Sequence, residues 1–123
     1  MGLDLYFKRT KSEEVGYFRK VNFLVSFFSE VCQQEIENLT PVQIDIKDCI
    51  TLLDRCNKVL ENKSEEVSEA LLPSCPGFFF GNYEYNEDYY ENVEAVRKYV
   101  EEELIPQFED LDPNEKIEFE IWY

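Results

Sequence analysis

The sequence predicts an α+β fold, with a small, mainly antiparallel sheet packed against three main helices and one short one. Three observations carry this. Two segments at opposite ends of the chain alternate apolar and polar residues with period two. Long stretches between them repeat apolar residues at three-and-four spacing. Proline- and glycine-bearing breaks separate these stretches.

The first strand is predicted over residues 3–8, where Leu3, Leu5 and Phe7 alternate with Asp4, Tyr6 and Lys8. Arg9 to Glu14 is polar and reads as a loop. A helix is predicted over 15–33, because Phe18, Val21, Leu24, Val25, Phe28, Val31 and Cys32 follow helical spacing. A short strand at 42–46 follows Pro41, and Asp45 is placed to cap a helix over 46–62. That helix carries Ile46, Cys49, Ile50, Leu53, Cys56 and Leu60 on one face. Ser64 caps a short helix over 64–72 that ends before Pro73. Phe78 to Phe80, between Gly77 and Gly81, is a candidate fourth strand. Asn86 caps a last helix over 87–108, whose acidic first turn (Glu87, Asp88) suits the helix dipole. Ile117, Phe119 and Ile121 alternate with Glu118, Glu120 and Trp122 in a closing strand over 117–122. The two terminal strands are expected to pair antiparallel, one face on the helices and the other toward water.

Residues 1–123 read as one compact domain, within the usual domain size. With 44% hydrophobic and 15% aromatic residues, the chain has enough apolar material for a core. No stretch approaches the roughly 20 uninterrupted apolar residues of a membrane helix. Met1 to Thr10 lacks the apolar run of an export signal, so a cytoplasmic location is expected. Cys49 and Cys56 are seven apart on one predicted helix, about 10 Å at 1.5 Å rise per residue. A disulfide does not span that distance, and the four cysteines are expected to be core thiols.

The net charge is −15 and unevenly spread. Residues 1–60 hold 8 Lys/Arg against 9 Asp/Glu, and residues 61–123 hold 4 against 18. Direct binding to nucleic acid or an anionic membrane is therefore not expected, whereas a basic protein is a natural partner. The chain has no histidine, the commonest general base near neutral pH. It carries no glycine-rich phosphate loop, no nucleophile elbow and no cofactor fingerprint. No catalytic residue, metal ligand or cofactor is assigned. The carboxylates Glu84, Glu87, Asp88 and Glu91 lack the loop of a calcium site. A metal-dependent hydrolase built on clustered carboxylates is the weakest of three functional readings.

Two segments stand out. Gly16 to Asn22 sets Arg19, Lys20 and Asn22 beside Tyr17, on what the spacing reads as a helix N-terminus. Helix N-termini offer free N–H groups to anions, and arginine binds phosphate or carboxylate in bidentate fashion. Pro76 to Tyr85 combines glycines, aromatic faces and polar tips. Phe78, Phe80, Asn82, Tyr83 and Tyr85 are its candidate ligand-binding residues, because aromatic faces stack on bases or on partner side chains.

The opening Met1-Gly-Leu-Asp-Leu-Tyr6, the stretch Val15-Gly-Tyr-Phe-Arg-Lys-Val-Asn22 and the Gly77-Phe-Phe-Phe-Gly81 motif resemble a family of small bacteriophage and prophage proteins. Members open Met-Gly-Leu-Asp-Met-Tyr, carry Trp-Arg-Lys and follow Gly-Phe-Phe-Phe-Gly with an acidic, tyrosine-rich patch. This chain departs at Leu5 and Phe18. The resemblance implies a viral or prophage origin and no particular activity. The leading expectation is thus a non-enzymatic binding protein that sequesters a small anionic, nucleotide-like host defence signal. The alternative is an acidic mimic of nucleic acid that blocks a basic surface of a host protein. A homodimer through terminal strands and exposed tyrosines is left open.

Overall fold

A four-stranded antiparallel sheet of order β2-β1-β4-β3 is covered on one face by helices. The computed structural model describes residues 2–10, 13–76 and 84–123. The elements are β1 (Asp4–Arg9), β2 (Glu13–Arg19), α1 (Phe23–Cys32), β3 (Val42–Ile44), α2 (Ile46–Asn62), α3 (Glu65–Leu71), α4 (Glu87–Tyr99), a π-helical turn (Val100–Leu104), α5 (Ile105–Glu109) and β4 (Ile117–Trp122). The α+β expectation holds, and the two terminal strands do pair antiparallel, with Leu5 opposite Ile121 and Phe7 opposite Phe119.

Period-two patterning settles which face of the sheet is covered. Leu3, Leu5 and Phe7 of the N-terminal segment and Ile117, Phe119 and Ile121 of β4 are buried under the helices. Asp4, Tyr6, Lys8, Glu118 and Trp122 lie on the helix-free face. The helices contribute Phe23, Leu24, Phe27 and Phe28 from α1, Cys49, Leu52, Cys56 and Val59 from α2, and Tyr89, Val93, Val96 and Tyr99 from α4.

One predicted element is replaced. Residues 13–19, expected as loop and helix, form β2, and the helix starts only at Phe23. Phe18 matched the helical spacing of Val21, Leu24 and Val25, but it is a strand residue opposite Leu5. Lys20 has φ 58, a left-handed conformation that stops the strand and redirects the chain into α1. Its N–H donates to the Leu3 carbonyl at 2.7 Å, closing the β1–β2 pairing. Tertiary pairing with β1 thus overrides a pattern that local spacing alone cannot resolve. A bulge between Phe7 and Lys8 shifts the register, so Lys8 faces Glu14.

The other corrections are smaller. The strand predicted at 42–46 ends at Ile44, because Asp45 caps α2: its carboxylate accepts from the Asp48 N–H, and Asp48 returns the bond to the Asp45 N–H. The buried stripe of α2 runs through Leu52 and Val59, leaving Ile50 exposed. Ser64 and Asn86 cap α3 and α4 as expected, accepting from Val67 and Tyr89. The last helix is interrupted where Ile105 donates to Val100, a five-residue step. Pro106 has no N–H to give Glu102 and its ring crowds that carbonyl, so a wider turn here relieves the conflict. The candidate strand at 78–80 lies outside the described residues.

All four cysteines are free. Cys49 and Cys56 are core thiols, whereas Cys32 and Cys75 are only half-buried, so the all-core expectation fails for the latter pair. Burial pushes the Cys56 thiol up to about 12 and raises Cys49 further. Thiolate, not thiol, is the nucleophile, so neither core cysteine should react in the native state. Mass spectrometry after brief exposure to a thiol reagent at neutral pH is expected to find label on Cys32 or Cys75 alone. Label on Cys49 or Cys56 before the rest would contradict this packing. The unfolded thiols ionise near pH 9 and the folded ones do not. Their contribution to stability is therefore complete below pH 9 and fades as pH rises toward the folded values.

Candidate functional site

The β2–α1 turn and the start of α4 meet at one end of the sheet. Arg19 closes β2, Lys20 makes the turn, and Asn22 stands at the head of α1. Asn22 is buried, and its side-chain oxygen accepts from the Cys75 N–H at 3.1 Å instead of capping its own helix. It thereby ties the α1 start to the segment leading into residues 77–83. Across from it, Asn86 caps α4.

Between them lies a cavity of about 190 Å³ lined by Lys20, Asn22, Glu84, Asn86, Asp88 and Asn92. Tyr89 forms part of its wall, edge-on to Phe23 with ring centres 5.6 Å apart, and its hydroxyl donates to the Leu72 carbonyl at 2.8 Å. Burial drives that phenol far above its ordinary value, so it stays a neutral donor. The volume is below the ~300–1,000 Å³ of a drug-sized pocket. It fits a compact group, or one end of a larger ligand.

Lys8, Arg9, Arg55, Lys58, Arg97 and Lys116 are each paired with carboxylates. Among the described residues, Arg19, Lys20, Lys47, Lys63 and Lys98 form no ion pair, and of these only Arg19 and Lys20 are adjacent. Both side chains reach over Gly2. A Cβ there would lie 2.9 Å from Lys20 Cε and 3.6 Å from Arg19 Nη2. The N-termini of α1 and α4 also border this cavity, that of α4 already offset by Glu87, Asp88 and the Asn86 cap. Helix α1 has no acid in its first turn and no side-chain cap, so its positive end is uncompensated from within the helix. Glu84 and Asp88 supply acceptors on the opposite wall.

The candidate residues therefore divide. Lys20 and Asn22 line the cavity, Lys20 on the turn that ends β2, whereas Arg19 does not line it: it closes β2 opposite Asp4, on the helix-free face and not on the helix N-terminus that the spacing suggested. Tyr17 is elsewhere, on the helix-free sheet face, where its hydroxyl donates to Asp4 at 2.6 Å. Tyr85 packs its ring edge-on to Tyr89 at 5.0 Å, and its oxygen accepts from the Ser74 N–H at 3.1 Å. Phe78, Phe80, Asn82 and Tyr83 lie outside the described residues. Asn86 and Asp88 were read from sequence as a helix cap and an acidic first turn, not as ligand-binding residues, and Asn92 was not singled out. A poor helix former inside α4, as Asn92 is, was the available signal. Among the described residues, no group of three His, Cys, Asp or Glu side chains is placed to hold a metal ion. None of their helices is long and apolar enough to cross a membrane.

Set against protein-family models, curated proteins and solved structures, the chain matches none.

Proposed function

We propose that this chain is a non-enzymatic binding protein of the cell cytoplasm that holds a small anionic, nucleotide-like ligand at the Lys20–Asn92 cavity. One observation carries the reading: Lys20, a cation with no ion pair among the described residues, meets the uncapped N-terminus of α1 at one cavity in a chain of net charge −15, with Arg19 next to it in the chain. An anionic group seated there gains a point charge from Lys20 and the positive end of α1. The carboxylates of Glu84 and Asp88 would repel a second anionic group. They favour a ligand whose other end presents donors, such as a base amino group or sugar hydroxyls. A charged phosphate at one end and a donor-rich end on the other is the layout of a nucleotide. In the phage setting that the sequence resemblance implies, the ligand is a host signal and binding removes it from use.

A thermal-shift screen against nucleotides and cyclic nucleotides tests this. At 100 times its dissociation constant, a true ligand adds about 2.7 kcal/mol and raises the midpoint by several degrees. The shift is expected to vanish in Arg19→Ala/Lys20→Ala and to shrink in Asn92→Ala. A flat screen, or a shift that survives the double substitution, would rule the site out.

A further inference from the structure

The helix-free face of the sheet carries a row of aromatic rings that the cavity does not use. Tyr6 stands between Tyr17 on β2 and Trp122 on β4, with ring centres 5.2 and 5.5 Å away. Of the five large apolar side chains exposed among the described residues, four gather here: Tyr17, Leu39, Trp122 and Tyr123, each 42–57% exposed. The fifth, Ile50, is on α2. Tyr123 and the loop bearing Leu39 are held beside β4, because Asn38 exchanges two hydrogen bonds with the Tyr123 backbone at 2.9 and 3.2 Å. A groove of about 580 Å³ runs between Gly2, Asp4, Leu39, Glu120, Trp122 and Tyr123.

Charge identifies what this face takes. Two carboxylates, Asp4 and Glu120, are among the groove's lining residues and no cation is, although Arg19 and Lys20 reach Gly2 at its edge. The rings already hold a cation from the same chain. The Lys8 ammonium lies 5.5 Å from the Tyr6 ring centre and 5.3 Å from that of Trp122, while donating to Glu120 at 3.5 Å. The indole N–H of Trp122 donates to the same carboxylate. Ring faces backed by carboxylates are the chemistry of cation recognition. Stacked aromatics on an open sheet also suit nucleic acid, but carboxylates and a charge of −15 repel phosphates. A second copy of the chain would bring another −15.

We infer that this face docks an extended, arginine-rich segment of a partner protein. Arginine fits better than lysine, because a planar guanidinium stacks flat on Trp122 or Tyr123 while forking onto Asp4. The site is distinct from the anion cavity, although Gly2 of the groove lies under Lys20, which lines the cavity.

Trp122 is the only tryptophan, so its emission reports on this face alone. The probe is a synthetic peptide of alternating arginine and serine, with a glutamate-for-arginine counterpart as control. It is titrated at about 0.15 M salt, where the screening length is ~8 Å and diffuse attraction is damped. A saturable emission change with the arginine peptide only is expected. Binding should weaken at least about fivefold in Tyr17→Ser/Tyr123→Ser and in Asp4→Asn, which keep the reporter, and stay unchanged in Ile50→Ser, on α2. No saturable change, or equal affinity in the surface variants, overturns the proposal. Sedimentation showing a dimer that those variants dissolve would assign the face to a second copy, and tighter binding of an oligonucleotide would assign it to nucleic acid. Either result overturns it as well.

Discussion

Replacing Phe7 with alanine is expected to cost about 4 kcal/mol, the largest loss from any single truncation in this core. Phe7 is fully buried at the point where sheet and helices meet. Its ring centre is 5.4 Å from Tyr99 and Phe119, 5.9 Å from Phe28 and 6.4 Å from Phe18. Phe28 and Phe119 in turn lie 4.4 Å apart. These rings come from β1, β2, β4, α1 and α4, so none can follow a truncated side chain inward without disturbing another element. The void therefore stays open and the cavity cost adds to the lost transfer energy. A domain of this size is stable by about 5–15 kcal/mol, so the variant should remain folded but fragile. Urea unfolding checks this: the midpoint should fall with the slope unchanged. A Phe7→Leu variant should lose under about half as much, because most of the volume is kept. Equal losses would mean that the cluster is not packed as described.

Substituting Gly16 with alanine is the second large effect, and it acts by overfilling. A Cβ at Gly16 would sit 2.1 Å from the Tyr99 hydroxyl oxygen and 2.4 Å from its Cζ. Tyr99 cannot step aside freely. Its ring is wedged between Phe7 and Phe18, each centre 5.4 Å away, and its hydroxyl donates to the Val15 carbonyl at 3.0 Å. Forcing the ring out strains the core and breaks that bond, together about 3 kcal/mol. The melting midpoint should drop by roughly 10 °C. The same substitution in a Tyr99→Leu background should cost far less, because the obstructing atoms are gone. Additive losses in that double-mutant cycle would show that the two residues do not meet.

These two predictions also mark what was legible in advance. The alternation of Leu3, Leu5 and Phe7, and of Ile117, Phe119 and Ile121, depends only on the two-residue repeat of a strand. It identified both terminal strands and their buried faces. The caps at Asp45, Ser64 and Asn86 were equally readable, because a side chain three residues from its N–H partner is a local event. Gly16 was visible as a glycine but not as a necessity, since the atoms that forbid a side chain there belong to Tyr99, distant in sequence.

The candidate site divides in the same way. Arg19, Lys20 and Asn22 were conspicuous as cations and an amide in an acidic chain. Their setting was misread, because β2 exists only through its pairing with β1. That Lys20 and Asn22 face Asn86, Asp88 and Asn92 across one cavity depends on how α4 packs against α1. No spacing in the chain encodes it. The aromatic row of Tyr6, Tyr17 and Trp122 likewise assembles from three strands only once their order and register are set. By itself, then, the sequence determined the α+β class, the terminal strands, the helix caps and the charge, all of which follow from short-range periodicity and composition. The tertiary structure alone decided β2, the fit of Gly16 beneath Tyr99, the cavity and the aromatic face, because each is a contact between residues that only folding brings together.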